Sequence, residues 1–185
     1  MPLQPIPCID TPRLQLVPVH DRHLPDLLAV NGNDEVTRFV PYATWTSLDD
    51  ARAWLERTQK HVEAGGSRQL VLQRRADGRA IGTLLLFKHD EASRRLELGY
   101  ALGRADWGRG YMREAVDAAC RHAFEVLGIR RLEAEVNPAN VLSCRLLESQ
   151  GFRLEGTLRQ RWTAKATTYD SRIYGLLHDD PRPMH

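Results

Sequence analysis

The sequence has few cysteines, no long hydrophobic run and almost no excess of charge of one sign. Its three cysteines, Cys8, Cys120 and Cys144, are odd in number and form no C-x-x-C pair, which excludes a disulfide framework and a zinc-binding pattern. The longest apolar stretch runs from Ala80 to Phe87 and is much shorter than the ~18–20 residues that cross a membrane. We therefore expect no membrane-spanning segment.

The balance of charge argues against a protein whose main partner is a nucleic acid. The chain has 26 lysine and arginine residues and 24 aspartate and glutamate residues, so its net charge is +2. Nucleic-acid-binding modules usually carry a strongly basic surface, and only Arg159, Arg161 and Trp162 offer a local patch of that kind. The first residues also lack the basic and apolar segments of a secretory signal, so we expect a cytoplasmic location.

Length and composition indicate one folded domain. The 185 residues are 42% hydrophobic, enough to bury a core, and no linker rich in glycine, serine or proline divides them. We predict a single domain over residues 1–185, in which residues 178–185 form a flexible tail.

Hydrophobic periodicity predicts a mixed α/β fold. Strands are predicted at Arg13–Val17, Gln69–Arg74, Ala80–Lys88, Arg95–Leu102, Arg131–Val136, Phe152–Leu158 and Thr168–Leu177. Helices are predicted at Leu24–Val30, Leu48–Val62, Met112–Leu127, and from an Asn137 cap to Gln150. The strand, helix and strand between residues 95 and 136 form a crossover, which predicts one parallel pair in an otherwise antiparallel sheet.

The loop Trp107-Gly108-Arg109-Gly110-Tyr111-Met112 lies between a predicted strand and the most amphipathic helix. Its two glycines permit unusual backbone angles, and a helix start offers unpaired N–H groups and roughly +0.5 charge to an anion. The loop matches neither the dinucleotide-binding fingerprint nor the P-loop. From the residues alone, a phosphate site and a plain glycine-containing turn remain open.

The following helix places Asn140 and Ser143 on one face near its N-terminus, because they are three residues apart. A hydroxyl at this electropositive end can donate a proton to a departing anion. Taken alone, the two residues are better explained as helix caps.

Three segments together are typical of one enzyme family. They are Leu96-Glu-Leu-Gly-Tyr-Ala-Leu102, the loop of residues 107–112, and N-x-x-N-x-x-S-x-x-L-L-E-x-x-G-F from Asn137 to Phe152. This combination resembles the GNAT acyl-CoA N-acyltransferases, and within them the RimJ/RimL-type protein N-acetyltransferases. The likeness covers nearly the whole chain.

The resemblance implies a GNAT fold, with a mixed and mostly antiparallel sheet, flanking helices and a splayed parallel strand pair that admits acetyl-CoA. It also implies that no metal is required. The residues assigned to acetyl-CoA by this likeness are Tyr100, Ala101, Leu102, Gly108, Arg109, Gly110, Tyr111, Met112, Asn140 and Ser143. Those of the loop would hold the pyrophosphate, and those of the strand would bind pantetheine and polarise the thioester.

Two positions depart from the common GNAT pattern. Ala105 stands where the phosphate loop often has glutamine or arginine, and Leu147 stands where many members have the tyrosine that protonates the thiolate. RimL-like members instead carry a serine three residues after the helix asparagine, which is Ser143 here. The resemblance therefore implies that Ser143 is the catalytic acid.

The base that deprotonates the acceptor ammonium is sought among Glu97, Glu133 and Glu135. Glu133 and Glu135 share one face of a strand because side chains alternate along it. Likeness to related enzymes favours Glu135, acting through water, with Glu97 as the second candidate. Each carboxylate taken singly is equally well explained as a solvated surface group.

The expected reaction is acetyl transfer from acetyl-CoA to a primary amine by direct attack in a ternary complex. Likeness to the RimJ/RimL branch favours a protein or peptide N-terminus as the acceptor, and a small-molecule amine is the alternative. A non-catalytic acyl-CoA-binding sensor is the competing function of another class. A homodimer is left open.

Overall fold

One mixed β-sheet organises the chain in a computed structural model that describes residues 3–182. Its eight strands lie in the order β1-β2-β3-β4-β5-β6-β8-β7. The strands are β1 (Ile9–Asp10), β2 (Leu14–Pro18), β3 (Ser67–Arg74), β4 (Ala80–Asp90), β5 (Arg95–Leu102), β6 (Arg131–Val136), β7 (Arg153–Ala164) and β8 (Thr167–Leu177). The helices are α1 (Leu24–Asn31), α2 (Asp34–Thr37), α3 (Leu48–Glu63), α4 (Tyr111–Glu125) and α5 (Val141–Ser149).

Helices cover both faces of the sheet, as the alternation along β3 shows. Leu70 and Leu72 pack in a core that includes the buried side chains of α4. Val71 points to the opposite face and packs with residues of α1 and α3. The α/β fold with flanking helices is therefore confirmed.

The only parallel pair among the described strands, β5 and β6, separates along its length. It is paired at Arg95↔Arg131, Leu96↔Leu132 and Glu97↔Glu133. From Leu98 onward β5 pairs with β4 alone, and from Ala134 onward β6 pairs with β8 alone. The resulting wedge confirms the splayed strand pair and leaves one edge of β5 without a strand neighbour.

The predicted start of the last helix is wrong. Asn140, and not Asn137, is the N-cap of α5, since its Oδ1 accepts the backbone N–H of Ser143 at 3.3 Å. Asn137 Oδ1 instead accepts the N–H of Ala139 at 2.9 Å in a turn ahead of the helix. Ser143 is thus the third residue of α5, at the end where the helix dipole is positive.

The strand predicted to end at Leu158 continues to Ala164, so β7 and β8 form a long hairpin. After it, the backbone N–H of His178 donates to the carbonyl of Arg130 at 3.0 Å, and the Arg182 guanidinium lies 5.3 Å from the centre of the Phe124 ring. Residues 183–185 of the predicted tail lie outside the described residues, and its flexibility stays a prediction. No helix among residues 3–182 is long and apolar enough to cross a membrane.

Candidate active site

Two cavities of about 480 Å³ each meet at the open end of the wedge. We call them the loop cavity, which is bordered by Gly108, Gly110 and Leu146, and the aromatic cavity, which is bordered by Trp54 and Trp162. They share six lining residues, namely Val36, Phe39, Tyr100, Ala101, Asn140 and Ser143. A ligand in one cavity can therefore reach a ligand in the other without leaving the protein.

The loop cavity brings together nearly all the residues that the sequence assigns to acetyl-CoA. Its lining includes Tyr100, Ala101, Leu102, Gly108, Gly110, Tyr111, Met112, Asn140 and Ser143. The remaining assigned residue, Arg109, belongs to the same loop, and its carbonyl accepts a hydrogen bond from Arg13 Nη1 at 2.8 Å. The carbonyl of Leu102 is already engaged, since the Trp107 indole donates to it at 2.7 Å.

The two glycines of the loop have backbone angles that other residues adopt only with strain. Gly108 and Gly110 have φ values of 73° and 78°, in the left-handed region. Gly110 is also the N-cap of α4, so the cavity adjoins a helix start whose first N–H groups have no partner within the helix. Such a cradle of N–H groups and positive dipole fits a polyphosphate.

Arg13 holds this loop in place. Its Nε lies 2.6 Å from Glu114 Oε2, and its guanidinium stacks 4.6 Å from the centre of the Tyr111 ring. Thr11 donates to the other oxygen of Glu114 at 2.6 Å. Burial acts to raise the pKa of Glu114, but the hydrogen bonds from Thr11 and Arg13 outweigh it and lower that pKa. Sequence reasoning missed this clamp, because its residues come together beside the glycine loop only in the folded chain.

A pair of hydroxyl groups lies between the two cavities. The Tyr100 hydroxyl in β5 and Ser143 Oγ in α5 are 2.8 Å apart. Burial raises the pKa of Tyr100, so its hydroxyl keeps its proton at neutral pH. This contact was not predicted, because the two residues are 43 positions apart and nothing in either segment indicates the other.

Two of the three candidate bases, Glu97 and Glu135, border the aromatic cavity. The Lys88 ammonium lies 2.7 Å from Glu97 Oε2 and 3.9 Å from Glu135 Oε2. Burial raises the pKa of Glu97, and the hydrogen bond from Lys88 partly opposes that rise. The Trp162 indole donates to Glu135 Oε1. The cavity therefore contains a charged cluster that already binds an ammonium group of the chain itself.

The third candidate, Glu133, lies at the closed end of the wedge, where β5 and β6 pair. Its carboxylate accepts hydrogen bonds from Arg95 and Arg131, each at 2.8 Å. Burial acts to raise the pKa of Glu133, but the two guanidinium groups outweigh it and lower that pKa. Glu133 is the strand partner of Glu97, but it does not border the aromatic cavity and is committed to ion pairs.

Leu147 is fully buried in the core and carries no group that donates a proton. The nearest hydroxyl group on the same helix that borders the cavities is that of Ser143. Among residues 3–182 no cluster of histidine, cysteine, aspartate and glutamate side chains could hold a metal ion.

Comparisons with known proteins agree with this geometry. The model of the acetyltransferase (GNAT) domain matches residues 13–153. The uncharacterized N-acetyltransferase p20 of Bacillus licheniformis is 33% identical over 154 residues, which cover 82% of this chain and 86% of that relative.

Solved structures agree as well. A probable GNAT-family acetyltransferase from Chromobacterium violaceum superposes with a TM-score of 0.85 at 26% identity, over 95% of this chain and 88% of the other. The ribosomal L7/L12 alpha-N-protein acetyltransferase RimL, solved with coenzyme A, has a TM-score of 0.82 at 18% identity, over 92% and 97% of the two chains. At that identity the likeness concerns the fold alone. The chain belongs to the GNAT acetyltransferases, acyltransferase enzymes that use acetyl-CoA to acetylate an amine acceptor.

Proposed function

We propose that this enzyme acetylates the primary amine of a protein or peptide N-terminus, with both substrates bound at once. The observation that carries the proposal is the meeting of the loop cavity and the aromatic cavity at Tyr100 and Ser143. One cavity offers a helix start and glycine loop to a polyphosphate, and the other offers carboxylates to an ammonium. The motifs of the RimJ/RimL branch support the N-terminal acceptor, and the RimL-like fold is consistent with it.

In the loop cavity, the backbone N–H groups from Gly108 to Met112 would hold the pyrophosphate of acetyl-CoA. Tyr100, Ala101 and Leu102 lie on the free edge of β5 and would bind the pantetheine arm and polarise the thioester, with Asn140 beside it. When bound, acetyl-CoA supplies an activated acetyl group and departs as a thiolate.

Glu135 would accept the proton of the acceptor ammonium through a water molecule, so that the free amine can attack. Its position at the open end of β6 and its contact with the cavity support this role. Glu97 is the second candidate, because burial raises its pKa above that of an ordinary glutamate and makes its carboxylate a stronger base.

Ser143 would donate a proton to the departing thiolate. Its hydroxyl borders both cavities and lies in the first turn of α5, where the helix dipole stabilises negative charge. The buried Leu147 cannot take this part. The neutral hydroxyl of Tyr100 at 2.8 Å can donate to Ser143 Oγ and leave the serine proton free for transfer.

Mass spectrometry tests the proposal directly. The protein is incubated with acetyl-CoA and either unblocked peptides, the same peptides with a blocked N-terminus, or small primary amines. We expect the unblocked peptides to gain one acetyl group and the blocked peptides to gain none. Acetylation confined to small amines would overturn the N-terminal acceptor, and coenzyme A binding without acetylation of any amine would favour the acyl-CoA sensor.

A further inference from the structure

The aromatic cavity collects an unusual share of the aromatic side chains. Phenylalanine, tryptophan and tyrosine make up only 7% of the chain, with 4, 4 and 5 copies. Seven of them border this one cavity: Phe39, Tyr42, Trp54, Phe87, Tyr100, Trp162 and Tyr169. These residues come from distant parts of the sequence, so their concentration results from the fold.

The polar atoms of several of these rings are already bonded elsewhere. The Tyr42 hydroxyl donates to Asn31 Oδ1 at 3.0 Å, and burial raises the pKa of Tyr42 to about 12. The Trp162 indole donates to Glu135, and the Tyr100 hydroxyl is paired with Ser143. The rings therefore offer the cavity mainly their carbon faces, which bind apolar groups and cations.

Other polar side chains along the cavity are also engaged. Gln69 Nε2 donates to the carbonyl of Leu84 at 3.2 Å, and the side-chain oxygens of Asn137 and Asn140 each accept a backbone N–H. When a sugar-like amine enters the protein interior, each of its buried hydroxyl groups needs a hydrogen-bond partner. The hydrogen bonds that Gln69, Asn137 and Asn140 already make leave these side chains fewer positions for such hydroxyl groups.

The charge of the cavity selects against an acceptor with its own carboxylate. Among the described residues that line it, Lys88 is the only lysine or arginine, and its ammonium is bonded to Glu97 and lies near Glu135. Arg161 Nε, outside the cavity lining, also lies 3.4 Å from Glu135 Oε1, so both cations face carboxylates of the chain. A carboxylate on the acceptor would lie beside Glu97 and Glu135 and would find no unpaired lysine or arginine among the described lining residues, whereas an ammonium group can bind to these carboxylates.

We propose that the acceptor is an amine with a bulky apolar or aromatic group close to the nitrogen and no carboxylate on the same carbon. This chemistry is shared by a peptide N-terminus with a large apolar first side chain and by an arylalkylamine. The inference rests on the proposed acetyl transfer. In that transfer a bond forms from the nitrogen to the acetyl carbon and the carbon–sulfur bond breaks. The ammonium proton passes to the base, Ser143 gives its proton to the thiolate, and the second proton that the nitrogen loses restores the serine hydroxyl.

Matched acceptors test this inference through kcat/KM, expressed per unprotonated amine. Phenylalaninamide should exceed alaninamide by about tenfold or more, because the ring is transferred from water to an apolar wall. Phenylalanine, which differs only in its carboxylate, should fall below phenylalaninamide by about tenfold or more. The kcat/KM values of a Phe-Gly-Gly amide peptide and of phenethylamine are then compared. A higher value for the peptide indicates a peptide N-terminus as the acceptor, and a higher value for phenethylamine indicates an arylalkylamine.

A variant of the wall connects the preference to the cavity. Phe39 borders both cavities and is partly exposed, and Phe39→Ala should reduce the ratio of phenylalaninamide to alaninamide by about fivefold. Val126→Ala is the control, since Val126 is 62% exposed at the end of α4 and should leave the ratio unchanged.

The outcomes separate this inference from the function on which it rests. If alaninamide, an aminoglycoside or phenylalanine is acetylated as fast as phenylalaninamide, the inference is overturned and the acetyl transfer stands. A ratio that survives Phe39→Ala also overturns it, because the preference would then arise elsewhere. If no amine is acetylated while coenzyme A binds, both the proposed function and the inference fail.

Discussion

The Tyr100 hydroxyl lies 2.8 Å from Ser143 Oγ, and this pair joins β5 to α5 where the loop cavity opens into the aromatic cavity. The separation of β5 from β6 opens the wedge beside which this pair lies. The two hydroxyl groups are therefore next to any ligand that passes from one cavity to the other. This placement makes Ser143 the most direct point at which to test the chemistry.

Removing the Tyr100 hydroxyl should disturb Ser143 without affecting the loop. We expect Tyr100→Phe to lower kcat about three- to tenfold, the effect of one neutral hydrogen bond, and to leave coenzyme A affinity unchanged. The double variant Tyr100→Phe/Ser143→Ala should be no slower than Ser143→Ala alone, because the two groups act together. Tyr174→Phe is the control, because the Tyr174 hydroxyl donates a comparable hydrogen bond of 2.9 Å to Glu148 and neither residue borders a cavity. Additive losses in the double variant would contradict the coupling.

A side chain at Gly110 should weaken coenzyme A binding. Its φ of 78° is left-handed, and a Cβ there would lie 3.3 Å from Arg13 Nη2, so Gly110→Val alters both the loop and its clamp. Gly128→Val is the matched control, because Gly128 has a φ of 65° at the other end of the helix and nothing within 4 Å of an added Cβ. Both variants should lose thermal stability, but only the first should bind coenzyme A about tenfold or more weakly in calorimetry. Equal affinities would place the pyrophosphate elsewhere.

Replacing Glu135 should change how activity depends on pH. Glu135→Gln keeps an oxygen for the Trp162 indole but loses the base, so kcat/KM at neutral pH should fall about tenfold or more. Activity should recover as the pH approaches the pKa of the acceptor amine, which then needs no base. Glu133→Gln, on the same strand but paired with Arg95 and Arg131, should retain the wild-type profile. A loss of the same size at every pH would indicate acceptor binding in place of base catalysis.

The clamp on the glycine loop should show itself in the stability of the protein. The pKa of Glu114 is lowered from 4.5 in the folded chain, so its carboxylate stabilises the fold above that value, and the effect is lost as the pH falls through the folded pKa. Glu114→Gln should therefore lower Tm at pH 7 by about 2–4 °C, and the difference should vanish in acid. Glu125→Gln, an exposed carboxylate on the same helix, should leave Tm unchanged. A difference that persists in acid would show that the ionised form is not what stabilises the loop.

Local sequence patterns predicted the helices and strands well where the pattern is typical of a single structure. The alternation in Arg131–Val136 gives the observed bounds of β6, and the helix predicted at Leu48–Val62 agrees closely with α3 at Leu48–Glu63. The start of α5 was misplaced because Asn137 and Asn140 are both good caps and Pro138 fits a first helical position. Only the packed structure decides between them.

The site was predictable in part. The glycine loop and Ser143 carry short-range signals, and the structure brings them to one cavity. The partner of Ser143 could not be predicted, because the register of β4 on β5 and the splay of β6 decide what lies opposite. The aromatic wall was missed for the same reason, since residues from Phe39 to Tyr169 become neighbours only when the segment after α2 and the final hairpin of the sheet border the same cavity.

The central claim is that Ser143 supplies the proton of the transfer at the junction of the two cavities. Steady-state kinetics of Ser143→Ala, measured together with coenzyme A affinity and thermal melting, tests it most directly. We expect kcat to fall about tenfold or more with an almost unchanged Kd for coenzyme A, since a loss confined to the transition state leaves ground-state binding intact. Full turnover in a variant with a lowered Tm would contradict the claim and leave Ser143 as a residue that only stabilises the first turn of its helix.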